Sequence, residues 1–343
     1  MDSEPWTWPI FATVAPGNNS YYSTLVAFYL PVAYNLMSSH VIIGGLGNVG
    51  RHMQHLLLRK GKVVRVLDRA RPASATAERG LVHPSVEFRP FQLGYDDPVK
   101  LRDELKGAEV VYSMVTPDVQ HGTVYDFEQT NHLGVQHLID ACRDAGVPKL
   151  VYASSIAATN HFIESRNKNE QDPLPPWETY KTLYDRTKRL GEEVVLNAGS
   201  EGDGNFKACA IRLGGILAGP TDYYTRHYWE MGEKNGRLIS AKGSRIDSIS
   251  AKDLVRALWK AQEKLDDSET SDLVSGRAFF VTKSSNKVTP ETHEIGAHLA
   301  KLMDWEIQFL PGYVRHTAFW FVYVALIRSH LLLFLTDPCT RGL

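Results

Sequence analysis

Charge is missing from the first part of this chain. Residues 5–50 contain no Asp, Glu, Lys or Arg. Within them, residues 21–37 are apolar and aromatic, but Pro31 interrupts the run. The run also falls short of the roughly 20 apolar residues that a spanning helix needs. No basic start of a secretory signal precedes it. Three readings fit: a segment that touches a membrane interface, a segment packed on the protein or loose, and an effect of where the sequence was taken to begin. Asn18-Asn19-Ser20 matches a glycosylation sequon, which a chain kept in the cytosol would not use.

Cysteine is scarce too. Cys142, Cys209 and Cys339 are the only three, and none stands at metal or redox spacing. That excludes a disulfide scaffold and reads as reduced thiols in a cytosol-like compartment. The net charge of -1 offers no basic excess for nucleic acid. No repeat, low-complexity tract or metal-ligand cluster stands out, so no metal is expected. What is present is bulk: 343 residues with 43% hydrophobic content suit one large α/β domain with an appended lobe, or two domains.

The organising stretch is residues 41–50, VIIGGLGNVG. An apolar strand runs into Gly44, Gly47 and Gly50, and a helical pattern follows over 49–60. Gly44 suits a tight turn. Gly47, without a Cβ, lets a pyrophosphate approach the backbone, and Gly50 lets the helix pack close to its strand. The helix N-terminus then offers free N–H groups to the anion. A second strand over 63–68 ends in Asp68, the acidic residue expected about 20 residues on, where it would bind a ribose 2′-hydroxyl. Arg69 and Arg71 follow and could meet a 2′-phosphate, but Asp68 would repel one. NAD is therefore favoured over NADP.

The strands continue over 86–91, 108–115 and 149–155, with helical patterns over 97–105 and 125–145 between them. Strands alternating with helices at this spacing predict right-handed βαβ units and a doubly wound parallel sheet. Chemistry belongs at the carboxyl ends of such strands. Ser154 and Ser155 end one of them. Tyr184 and Lys188 then stand four apart at the start of a helix over 184–197, on one helix face. A phenol titrates near 10, and a neighbouring ammonium would favour its anion. Tyr184 thus reads as a proton acceptor for a secondary alcohol, with a serine hydroxyl to hold the reacting oxygen.

These motifs carry a resemblance. GGLGNVG, the Asp68 strand end, NHLGVQHLIDACRDAGVPKLVYASS (131–155), YDRTK (184–188), AIRLGGILAGP (210–220), RIDSISAKDLVRAL (245–258) and GRAFFVT (276–282) resemble the extended short-chain dehydrogenase/reductases. Within these, the 3β-hydroxysteroid dehydrogenases, including the sterol-4α-carboxylate 3-dehydrogenases, are the most similar. The likeness spans about 40–310. It implies that Ser155, rather than Ser154, contacts the substrate hydroxyl. It makes Tyr184 the base, and has Lys188 tune the tyrosine and hold the nicotinamide ribose. Asn48, Val49, Gln92, Leu93, Val115 and Asn131 join the glycines, Asp68, Tyr184 and Lys188 around the cofactor. The sequence departs from the pattern at Ile43, where the family has Thr, at Gln92, where it has an acid, and at Leu213, where it has Pro. Most members also continue past this chain's last residue through a further basic segment.

The fold expected is a Rossmann-type α/β sheet with a smaller C-terminal substrate-binding lobe. Residues 1–38 form an apolar segment, 39–213 the NAD-binding domain with the catalytic residues, and 214–343 mostly the lobe with returning sheet elements. The aromatic group Tyr223, Tyr224, His227, Tyr228 and Trp229 could wall a flat apolar substrate or simply build the lobe's core. Residues 318–335 are apolar except for Arg328, Ser329 and His330, which suits an interfacial or channel helix better than a span. The expected activity is NAD-dependent oxidation of a 3β-hydroxyl on a sterol or related polycyclic terpenoid, with C4 decarboxylation where a carboxylate is present. A sugar-nucleotide or flavonoid enzyme of the superfamily and a non-catalytic NAD-binding scaffold are the alternatives. The partners expected are a small sterol or terpenoid, a membrane surface and, by resemblance, room for a homodimer. The expected location is the endoplasmic reticulum membrane or lipid droplets with the catalytic domain in the cytosol, the alternative being the cytoplasm.

Overall fold

A parallel sheet buried on both faces needs strands that are apolar throughout, and the chain supplies them. A computed structural model describes residues 38–69, 83–119, 121–159, 167–201, 205–217, 222–241, 247–282 and 291–310. Strands β1 (Ser39–Ile43), β2 (Val63–Asp68), β3 (Glu87–Pro90), β4 (Ala108–Ser113), β5 (Lys149–Ser155) and β6 (Lys207–Leu213) follow in chain order. A later strand, Ala278–Val281, completes a seven-stranded sheet, in the order Ala278–Val281, β6, β5, β4, β1, β2, β3. All six pairings are parallel. The order reverses between β1 and β4, the switch point where such folds open a crevice.

Side chains on β1 alternate between two cores. Val41 and Ile43 pack with Leu138, Ile139, Val195 and Ala198, while Ile42 packs with Met53, Leu57, Leu254 and Leu258. The first face is covered by α2 (Pro98–Leu105), α4 (Gly134–Asp144) and α5 (Leu183–Ser200). The second is covered by α1 (Asn48–Arg59) and by helix Ala251–Asp266. Between the short helix α3 (Val124–Glu128) and α4, residues Gln129–Leu133 wind as one wide π turn. The sequence pattern predicts an unbroken helix over 125–145; the inserted turn lets Asn131 face inward at 1% exposure.

After β6 the chain makes β7 (Gly215–Leu217), α6 (Tyr223–Asn235), β8 (Arg237–Ala241) and β9 (Ser248–Ser250). Then come α7 (Ala251–Asp266), α8 (Ser271–Val274), β10 (Ala278–Val281), α9 (Thr292–Met303) and β11 (Glu306–Leu310). Strands β8 and β11 pair in parallel, and β7 pairs with β9. A small separate core joins Tyr228, Leu238 and Ala300 with Met231, Leu299 and Trp305. Within the aromatic group, Tyr228 is buried there, with its hydroxyl 2.9 Å from Ser240 Oγ. Trp229 meets Trp305 edge-on at 5.6 Å. These two therefore build the lobe; the side chains of Tyr223, Tyr224 and His227 lie outside the described residues, as do the segments 1–37 and 318–335. Among the described residues no helix is long and apolar enough to cross a membrane.

Candidate active site

The glycine-rich turn is fixed by what a Cβ would strike. Gly44 has φ +85, and a Cβ there would sit 2.9 Å from the Val115 backbone nitrogen. A Cβ on Gly50 would overlap the Gly44 carbonyl and the Gly45 backbone, so α1 starts in direct contact with the turn. Gly45, outside the sequence fingerprint, is equally confined: its Cβ would strike the Val66 side chain. Gly47 is different. It is the N-cap of α1 without a side-chain cap, and its Cβ would meet only the Gly44 oxygen at 3.3 Å. Asn48 and Val49 are the first residues of α1, and a helix start aims its first backbone N–H groups toward an anion.

Asp68, at the end of β2, accepts the Leu46 N–H through Oδ2 and the Arg69 N–H through Oδ1, both at 2.7 Å. Gln92 and Leu93 follow β3: the Gln92 N–H bonds Asp96 Oδ2 at 3.0 Å and Leu93 is buried. Val115 follows β4 against Gly44. The cofactor-side residues expected from sequence thus gather along the ends of β1, β2, β3 and β4.

The catalytic candidates gather at the end of β5. Thr182 caps α5 by accepting the Asp185 N–H at 3.1 Å. That cap presents Tyr184 in the first turn. Its ring lies edge-on to Phe127 at 6.1 Å, and the Ser155 side chain acts on its hydroxyl in favour of the phenolate. Ser155 is 8% exposed, and its Oγ also accepts the Ala157 N–H at 3.1 Å. Lys188, one turn on, is 3% exposed and donates to the Ala153 carbonyl at 3.1 Å. Asn131 donates to Thr187 Oγ1 at 3.1 Å and accepts from Thr116 Oγ1 at 3.1 Å, linking the π turn, α5 and the strand end after β4.

The electrostatics differ from the sequence expectation. Burial raises the Tyr184 phenol above its usual range; the Ser155 side chain opposes this and the Asp185 charge adds to it. Burial pushes the Lys188 ammonium down to about 8, against the pull of Glu192. Asp185 is pushed up to about 6 by burial, with the Thr182 bond working the other way. In place of a lowered phenol, the half-buried Tyr184 stands one turn from the buried Lys188, where a positive charge is screened less than in water.

Sequence reading did not find how Ser154 is used. Its Oγ donates to Glu192 Oε2 at 2.6 Å, on the α5 side of the sheet. The two serines are therefore divided, Ser155 toward Tyr184 and Ser154 toward Glu192.

The model of the 3-beta hydroxysteroid dehydrogenase/isomerase family matches residues 41–309. The human sterol-4-alpha-carboxylate 3-dehydrogenase, decarboxylating, is 29% identical over 246 residues, 70% of this chain and 61% of that protein. The Saccharomyces cerevisiae protein of the same description is 28% identical over 73% of this chain and 72% of its own length. The chain spans 61% and 64% of the human and bovine relatives. Among solved structures, a UDP-galactose 4-epimerase superposes with a TM-score of 0.64 at 19% identity, covering 79% of this chain and 86% of that one. The Bordetella bronchiseptica enzyme WbmH in complex with NAD+ gives 0.61 at 19%, over 80% and 86%. At such identity these structures speak for the fold alone.

Proposed function

Because the chain belongs to the 3-beta hydroxysteroid dehydrogenase/isomerase family, we propose that it oxidises a 3β-hydroxyl on a sterol or related polycyclic terpenoid with NAD. A C4 carboxylate, where the substrate carries one, is lost as CO2. The observation that carries this is the placing of Tyr184 and Lys188, one turn apart at the start of α5, at the strand end that carries Ser155, with Lys188 bonded to the Ala153 carbonyl and a turn shaped for a pyrophosphate in the same sheet. The two decarboxylating relatives reported above support the substrate class.

The residues fit a dinucleotide. Gly47 keeps the start of α1 clear, and the Leu46–Asp68 bond sets a carboxylate at the ribose end of the crevice. Asn131, Tyr184 and Lys188 would hold the nicotinamide end. A bound NAD would supply the acceptor for the hydride that leaves the alcohol carbon. Ser155 and Tyr184 would hold the 3-hydroxyl from two sides, and Tyr184 takes its proton as the ketone forms. Lys188 stabilises the phenolate that makes this transfer favourable. The new 3-ketone turns a C4 carboxylate into a β-keto acid, whose loss of CO2 leaves an enolate. The Ser155 and Tyr184 hydroxyls can donate to that enolate oxygen.

The test follows NADH and released CO2 together with a 4-carboxy-3β-hydroxysterol. Equal amounts support the decarboxylating reading. NADH alone reduces it to a plain alcohol dehydrogenase, and turnover of a sugar nucleotide instead overturns the sterol assignment.

Three finer points belong to the same reading. NAD is preferred to NADP, because Asp68 opposes a 2′-phosphate. The uncharged stretch 5–50 brings the protein to endoplasmic-reticulum membranes or lipid droplets with its catalytic residues in the cytosol, which fractionation beside a variant lacking 1–38 would check. The lobe from 214 onward selects the substrate, while α7 and β10 return to the sheet.

A further inference from the structure

Glu192 is a charged residue at 1% exposure, behind the proposed catalytic pair. It follows Lys188 by four residues, so both lie on one face of α5. Its carboxylate accepts the Ser154 hydroxyl at 2.6 Å. It also accepts Arg212, from β6, through Nε at 3.1 Å to each oxygen and through Nη2 at 2.7 Å. The Arg212 guanidinium lies 5.2 Å from the Phe280 ring centroid, so its other face is covered as well. Lys188 is enclosed from the sheet side, its Nζ 5.1 Å from the Tyr152 ring centroid. The Tyr152 hydroxyl has no hydrogen-bond partner among the described residues.

The charged and titratable groups around Lys188 can be named from each element. Helix α5 brings Tyr184, Asp185 and Glu192. Strand β5 brings Tyr152, and β6 brings Arg212, already engaged by Glu192. The π turn contributes only neutral Asn131, bonded to Thr187. Glu192 is the carboxylate that favours the charged lysine. A buried ammonium without such a neighbour loses its proton. A buried ion pair serving only as a brace adds little stability over apolar side chains of the same volume.

We propose that Glu192 is a positioning residue for the proton transfer: its carboxylate, anchored by Ser154 and Arg212, keeps the Lys188 ammonium charged in a dry site. The proposal rests on the reading of Tyr184 and Lys188 given above. Without the Glu192 charge, Lys188 deprotonates more readily, and the Tyr184 phenol loses the cation that favours its anion.

The experiment is the pH profile of kcat/KM for NAD-dependent sterol oxidation by Glu192→Gln, which keeps shape and removes charge. The acid limb moves to higher pH by about one unit, so that the rate at pH 7 falls about tenfold. Glu192→Asp restores the limb in part. Should Glu192→Gln not fold because Arg212 is left unpaired, the double variant Glu192→Gln/Arg212→Leu removes the orphan cation and shows a smaller shift in the same direction, because the Arg212 charge that disfavours the ammonium is lost with it. A uniform loss of rate with an unmoved limb, in any folded variant, overturns the proposal and leaves a brace. Tyr184→Phe, run alongside, separates the two readings: retained activity there sinks the underlying assignment instead.

Discussion

Asp68 Oδ2 accepts the backbone N–H of Leu46 at 2.7 Å, tying the end of β2 to the glycine-rich turn. The carboxylate proposed to discriminate against a 2′-phosphate thus also shapes the loop proposed to cradle the pyrophosphate. Asp68→Ala should therefore have two effects. The preference for NAD over NADP narrows, and affinity for both falls because the loop loses a hydrogen bond worth about 1 kcal/mol. Measuring kcat/KM with both cofactors decides it; a clear NADP preference in the unmutated protein contradicts the role given to Asp68.

Tyr184→Phe keeps the ring against Phe127 and removes the hydroxyl on which Ser155 acts. Turnover should drop by about 10²–10⁴-fold. NAD binding, followed by fluorescence titration, should stay near its original value, since the loss lies in the transition state. Activity close to that of the parent would put the base elsewhere.

Gly47 and Gly50 make opposite predictions. At Gly50 an added Cβ runs into backbone atoms, so Gly50→Ala should lower Tm by several degrees. At Gly47 the nearest atom lies 3.3 Å away, so Gly47→Ala should fold normally yet bind NAD poorly. Thermal melts with and without NAD separate the cases. An equal loss of Tm in both would mean that Gly47 is a packing residue.

Asp185 gives a pH-dependent prediction. Its folded value, up at about 6, lies above the 3.8 of an ordinary carboxyl. Between those values the folded protein holds a proton that the unfolded chain has released, so stability falls as pH rises from about 4 to about 6. Above pH 6 the penalty is fully present, on the order of 2–3 kcal/mol. Asp185→Asn should raise Tm at pH 8 and leave it nearly unchanged at pH 4. A gain equal at both values would show that the carboxyl's charge is not the cause.

His40 behaves in the opposite sense. Burial pushes it down to about 4, with Glu109 acting against the shift and Lys62 and Lys149 adding to it. Stability that depends on neutral His40 is present above pH 6.5 and is lost as pH falls toward 4. His40→Gln should flatten the acid side of the Tm-against-pH curve; an unaltered acid side would assign the loss to other groups.

Much of this was legible from periodicity and punctuation. The runs 63–68 and 149–155 fall where β2 and β5 lie, because continuous apolar strands between glycine turns leave few alternatives. The four-residue spacing of Tyr184 and Lys188 fixed their shared helix face. What could not be read was anything set by partners distant in sequence. The π turn at Gln129–Leu133 has no local signature, and follows from where Asn131 must reach Thr116 and Thr187. The charge balance at Tyr184 depends on how completely β5 and α5 exclude water. The division of Ser154 from Ser155 depends on Glu192 and Arg212, residues that attract no notice alone.

The last strand of the sheet carries a consequence for how the protein is made. β10 adds to the edge of β6 in parallel register, Ala278 opposite Ala210, after the chain has travelled out through the lobe and back. On the way, α7 lays Leu254 and Leu258 over the face that holds Ile42, Met53 and Val151. A nascent chain emerging from the ribosome therefore carries Gly44, Gly47, Gly50, Tyr184 and Lys188 long before the sheet that supports them can close. Until α7 and β10 arrive, one face of the central strands is covered only by α1 and one edge is open, the condition that invites aggregation. A fragment ending at 213 would expose those surfaces permanently, so the proposed active site depends on elements encoded far beyond its own residues.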